Sequence, residues 1–208
     1  MMKNETNTMR TVLLFTAAIF LSTSINAQTV YTDEVIPYEY DTILKGGYNI
    51  SFKADDSLQY LYLKKGKKTI RELSSTSRGL PYKNLGYAVT DFKEYFVLAH
   101  SFGSGNPHSI ELIKKTTGVN ILDKPGAWID ADEEKELLLY STDEVPTKKS
   151  KMILFNAKTR QEELFSFPSD IIGQPQVFNR IQIVKITNKE FVITYDTNGI
   201  SKVKVYSR

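Results

Sequence analysis

Short β-branched and aromatic runs, turn residues between them, and no long segment with a 3.6-residue apolar period predict an all-β chain of antiparallel hairpins. The runs group into four stretches. The first has Ile50 to Phe52, the turn Ala54-Asp55-Asp56-Ser57, Leu58 to Leu63, the turn Lys64 to Lys68, and Thr69 to Leu73. The second has Tyr87 to Asp91, Tyr95 to Ser101, the loop Gly103 to Pro107, Ser109 to Lys114, and Val119 to Leu122 after Thr117-Gly118. The third has Ala127 to Ile129, the acidic turn Asp130 to Glu134, Leu137 to Ser141, Lys151 to Phe155, the turn Asn156 to Arg160, and Glu162 to Phe167. The fourth has Ile181 to Thr187, Phe191 to Asp196, and Ile200 to Tyr206. Asn198-Gly199, before that last run, is the strongest turn signal, because a type I′ turn needs positive φ at both central residues.

The N-terminus reads differently. Lys3 and Arg10 precede a mostly apolar run from Val12 to Leu21, and small and polar residues then lead to Ala27. This order predicts a signal peptide over 1–27, cleaved after Ala27, and hence an exported protein, periplasmic or secreted. The run is shorter than the roughly 20 apolar residues that span a bilayer. Residues 28–47 read as an N-terminal segment and 48–208 as a single β-repeat domain. The 181 residues that remain suffice for one sizeable core. Losing Lys3, Arg10 and Glu5 lowers the formal charge from +3 to +2, too little for nucleic-acid binding through global electrostatics. The absence of cysteine excludes disulfides, thiolate metal sites, cysteine nucleophiles and a lipidated cysteine.

The four stretches read as one repeated unit of three or four strands. The third resembles an extracytoplasmic β-propeller blade in its Trp128-Ile129-Asp130, Leu137-Leu138-Leu139-Tyr140, Met152-Ile153-Leu154-Phe155-Asn156 and Glu163-Leu164-Phe165 runs. That resemblance implies a small ring of about four blades; the alternative is a β-sandwich of consecutive hairpins. In the ring, Tyr31 to Ile36 is expected to close the last unit by pairing with Ile200 to Tyr206.

No constellation of residues specifies a catalytic motif, a cofactor or a metal. His100 and His108 flank the Gly103 to Pro107 loop, and with Glu111 they would supply three metal ligands only if they converged. Ser101, Ser104 and Ser109 lack a G-x-S-x-G elbow. The acidic alternation Asp130, Asp132, Glu134, Glu136 fails the EF-hand pattern at Lys135 and Ser141. Tyr82 and Phe178 stand out as aromatics in long connections, where a ring has less structural reason to be present.

Because antiparallel strands alternate direction, successive turns leave opposite edges of a sheet. With Ile50 to Phe52 as the first strand of its unit, one edge is expected to gather Lys64, Lys65, Lys67, Lys68, Arg78, Lys148 and Lys149 with the longer loops. The expected function is non-enzymatic: binding of a protein or an anionic envelope glycan through this basic rim, with Tyr82, Asn106, His108 and Phe178 as further contacts. The alternative is a small extracytoplasmic hydrolase whose groups converge only on folding. Neither reading implies contact with nucleic acid or integration into a membrane.

Overall fold

The computed structural model describes residues 42–103, 107–174 and 176–208. The expected signal peptide and closing strand, and Asn106, lie outside them. The all-β expectation holds: fifteen strands among the described residues pair antiparallel throughout, and the one α-helix is the single turn α1 (Tyr82–Leu85). No described helix is long and apolar enough to cross a membrane.

The strands form four successive meanders. Sheet A consists of β1 (Thr42–Leu44), β2 (Tyr48–Ala54), β3 (Leu58–Lys65) and β4 (Lys68–Ser77). The second meander consists of β5 (Tyr87–Asp91), β6 (Tyr95–His100), β7 (Ser109–Lys114) and β8 (Val119–Asn120). The third consists of β9 (Gly126–Asp132), β10 (Leu137–Ser141), β11 (Lys151–Asn156) and β12 (Gln161–Ser166). Sheet C consists of β13 (Ile181–Ile186), β14 (Glu190–Thr197) and β15 (Ile200–Ser207). Asn198 and Gly199 both take positive φ between the last two strands, the I′ geometry their sequence predicts.

Period-2 alternation places each meander between its neighbours. Leu44, Tyr48, Ile50, Leu61 and Leu63 of sheet A meet Phe96, Leu98 and Ile113 of the second meander. The intervening residues Tyr95, Val97 and Ala99 point the other way, onto Leu138, Tyr140, Ile153 and Phe155 of the third. Leu137, Leu139, Met152 and Leu154 then face Phe191, Ile193 and Tyr195 of sheet C. The result is three apolar layers separating four β layers. Tyr95 to Ala99 and Leu137 to Tyr140 are buried at every residue because both faces of these strands are covered.

The two middle meanders form one hydrogen-bonded sheet, joined where Ser109 and Ile110 of β7 pair with Ala127 and Gly126 of β9. The sheet folds back on itself at this junction. A Cβ on Gly126 would sit 2.7 Å from Tyr140 Cδ2 and 3.1 Å from Ile110 Cγ1, so only glycine lets the three strands meet.

β1 corrects the sequence reading. Thr42 and Ile43, within the N-terminal segment, pair with Ile50 and Asn49, and sheet A therefore begins one strand before the run expected to open it. Its turn falls at 45–47, beside the β5–β6 turn: Lys45 N donates to Asp91 Oδ2 at 2.6 Å. The turns around 45–47, 66–67, 92–94, 115–118, 133–136, 157–160 and 187–189 share one edge of the layers, the hairpin edge. The connections 78–86, 101–108, 121–125, 142–150 and 167–180 leave the opposite edge, the loop edge.

Candidate functional site

The strand order divides the expected basic rim, because β4 runs between Lys68 and Arg78 and its two ends lie on opposite edges. Lys65, Lys67 and Lys68 lie on the hairpin edge, whereas Arg78, Tyr82, His108, Lys148 and Lys149 lie on the loop edge. Lys64 belongs to neither: it stands on the outer face of sheet A, where its Nζ donates to Ser51 Oγ at 2.8 Å. Phe178 is not available as a loop contact, because it is 1% exposed and packs edge-on to Phe167 within the third apolar layer. A ring in this connection plugs the core between the third meander and sheet C.

On the hairpin edge, Lys65 and Lys68 line an open groove of about 530 Å³ with Tyr48, Thr69, Ile70, Thr116 and Thr117. The β3–β4 hairpin forms one wall and the β7–β8 turn the other. Lys65 Nζ lies 4.8 Å from the centroid of the Tyr48 ring, so a cation and an aromatic face meet at the groove. Threonine hydroxyls on both sides add neutral donors and acceptors. Two ammoniums, an aromatic ring and three hydroxyls suit an oxygen-rich anionic ligand. Tyr48, Thr116 and Thr117 were not singled out by the sequence, because the groove forms only where the β3–β4 hairpin packs beside the β7–β8 turn.

Next to the groove, charge is committed to the protein itself. Lys115 is 1% exposed; its Nζ donates to the carbonyls of Phe92 at 2.6 Å, Lys45 at 3.1 Å and Lys93 at 3.4 Å. Those three bonds use the three ammonium hydrogens, and Asp91 Oδ1 at 2.6 Å balances the charge. Glu133 accepts from Thr90 Oγ1 and Asp91 N, both at 3.0 Å, and pairs with Lys45 Nζ at 3.1 Å. Sheet A and both middle meanders are thereby tied together.

The acidic alternation of the third stretch disperses in the same manner. Asp130 accepts from Ile183 N at 2.6 Å, Asp132 from Lys135 N at 2.9 Å, and Glu136 from Lys93 N at 3.3 Å. These carboxylates brace turns and layers. Among the described residues, no three His, Asp or Glu side chains converge as a metal site.

The loop edge holds the histidines in separate environments. His100 pairs with Ser109 across β6 and β7, so His108, one residue earlier, projects from the opposite face. His100 donates from Nδ1 to Asn84 O at 3.1 Å and from Nε2 to Glu111 Oε1 at 3.0 Å. Burial lowers its pKa, but the bonds to Glu111 and Asn84 and the charge of Glu111 outweigh this and leave it raised. His108 Nδ1 and the Tyr87 hydroxyl share a hydrogen bond of 2.6 Å, and burial first, then the charge of Lys83, push the His108 pKa down. The two imidazoles therefore share no ligand.

Compared with known proteins, the chain matches no family model and no curated relative.

Proposed function

We propose that this chain is an exported, non-enzymatic binding protein whose four meanders act as propeller-type blades and present one hairpin-edge groove to an anionic glycan or an acidic protein. The observation that carries this reading is the meeting of Lys65 and Lys68 with Tyr48 and the Thr116–Thr117 turn around one open groove. Its openness suits a chain of sugar units or a protruding loop better than an enclosed small molecule. Blade architecture is supported by the face-to-face stacking of successive meanders, each in sequence order. The charge and apolar order of residues 1–27 supports export.

The test of the groove is retention on a uronic-acid polysaccharide, measured for the parent chain and the double substitution Lys65→Gln, Lys68→Gln at low and moderate salt. Retention should fall in the variant and, for the parent, with added salt, since exposed charges act through a screened field. Equal retention of a folded variant at both salt levels would remove the groove from consideration. Export is tested by the intact mass of material from the native host, expected to begin at Gln28. An uncleaved cytoplasmic chain would defeat that part of the reading.

A further inference from the structure

The outermost layers of the stack differ from the inner ones: each has one covered face and one open face. On sheet A the open face is set by the register of β2, β3 and β4. Asn49 pairs with Lys64, Ser51 with Tyr62, and Lys53 with Tyr60, opposite to the buried Ile50, Leu61 and Leu63. The centre of this face is the stacked pair Tyr60 and Tyr62, with ring centroids 6.0 Å apart. Lys64 lies toward the hairpin edge and Lys53 toward the loop edge, with Ile43 on the neighbouring strand 86% exposed.

Sheet C shows the converse. Its open face carries Val205 beside Val192, which its neighbours bury to 8% exposure, and Val203 beside Thr194, opposite to the buried Phe191, Ile193 and Tyr195. Val203 is 64% exposed and Val205 54%, an apolar centre that the described residues leave uncovered. Glu190 lies toward the hairpin edge and Asp196 toward the loop edge. Glu72 and Asp55, which accepts from the Tyr60 hydroxyl at 2.7 Å, add negative charge to the sheet A face, and Lys185 pairs with Glu190 at 3.3 Å on sheet C. The unlike charges of the two faces that correspond are Lys64 with Glu190 and Lys53 with Asp196.

Within the chain, successive layers stack with their hairpin edges together, as the Lys45, Asp91 and Glu133 contacts show. Continuing the stack in that orientation brings Glu190 level with Lys64, Asp196 level with Lys53, and valines onto the tyrosine pair. From this complementarity we infer that the open face of sheet C docks on the open face of sheet A of a second copy. The reciprocal contact closes a two-fold ring of eight layers.

The size is adequate. Three strands about 4.8 Å apart and eight residues long give about 400 Å² per face. The four faces of a two-chain ring then remove about 1,600 Å² from solvent, the size of a standard stable interface. Mixed apolar and charged content, with the valines central, matches the anatomy of such interfaces.

Sedimentation velocity of the purified chain between about 1 and 100 µM is the test, with circular dichroism as the control for folding. A species of twice the chain mass is expected. Val203→Glu with Val205→Glu should raise the dimer dissociation constant at least tenfold. Should that variant misfold, Lys53→Glu with Lys64→Glu changes only exposed or half-buried lysines and should dissociate the dimer too. Adding Glu190→Lys and Asp196→Lys to that chain restores opposite charges across the contact and should restore the dimer. A parent chain that stays monomeric at 100 µM overturns the inference, as does a dimer indifferent to these charge reversals. Open-ended polymers would overturn the two-fold closure.

Discussion

The hairpin edge and the loop edge each enclose a fully buried side chain, and the two are chemically opposite. Lys115 lies within the hairpin edge, its ammonium held by three carbonyls and Asp91. Phe178 lies within the loop edge, its ring against Phe167. Tight turns leave carbonyls pointing inward, and a cation can satisfy several of them at once. A long connection leaves space to fill and few converging carbonyls, so an apolar ring suffices. The difference teaches that in this protein charge at a turn is structural when buried and available for recognition only where it lines an open surface, as at Lys65 and Lys68.

The sharpest way to break the comparison is to remove the buried ammonium. Lys115→Met should cost about 4 kcal/mol in urea unfolding, because Asp91 and three carbonyls lose their partner in a low-dielectric site. A loss below about 1 kcal/mol would mean that water replaces the ammonium. Phe178→Ala on the other edge should cost about 3 kcal/mol, the transfer of a buried ring plus the cavity it leaves. Its cost should be almost independent of pH and salt, unlike that of an ion pair.

The histidines give a smaller, pH-resolved contrast within the loop edge. His100 has a raised pKa, so its contribution is complete below the ordinary value of 6.5 and is lost as pH rises through the higher folded value. His108 has a lowered pKa, so stability is lost as pH falls from 6.5 through the lower folded value. Unfolding midpoints across this range should therefore decline on both sides. His100→Gln should flatten the alkaline decline and His108→Gln the acid one; histidine ring titrations by NMR that come out in the reverse order would contradict both assignments. Smallest of all, Lys67→Gln in the exposed β3–β4 turn should change stability by less than about 0.5 kcal/mol. A larger loss would show that the turn is braced in the way Lys115 braces its neighbour.

Much of the fold was legible in local patterns. Within the described residues every run expected to be a strand is one or overlaps one, and Asn198-Gly199 forms its expected turn; Tyr31 to Ile36 lies outside them. β1 escaped because a three-residue strand presents too little alternation to register; the marker was Gly46-Gly47, both at positive φ, in the turn to β2. The basic rim divides for a separate reason: β4 runs from Lys68 to Ser77, which leaves the β3–β4 turn and Arg78 at opposite ends of one strand. The candidate site was thus half legible: Lys65 and Lys68 were named, while Tyr48 and the Thr116–Thr117 turn were not.

Residue order alone determined the all-β class and the strands and turns apart from β1 and its turn, because backbone sterics and a two-residue period act over a few neighbours. Tertiary structure decided which lysines line an open groove and which are enclosed as supports. Lys115 and Lys68 look alike in sequence, both beside turn residues, yet one is enclosed by turns from two sheets and the other faces a groove. It likewise decided that Phe178 is core and that the two histidines stand apart, since these depend on which layer covers a strand face. Coverage arises from packing between segments distant in sequence, where desolvation and Coulomb energies depend on surroundings that no local pattern encodes.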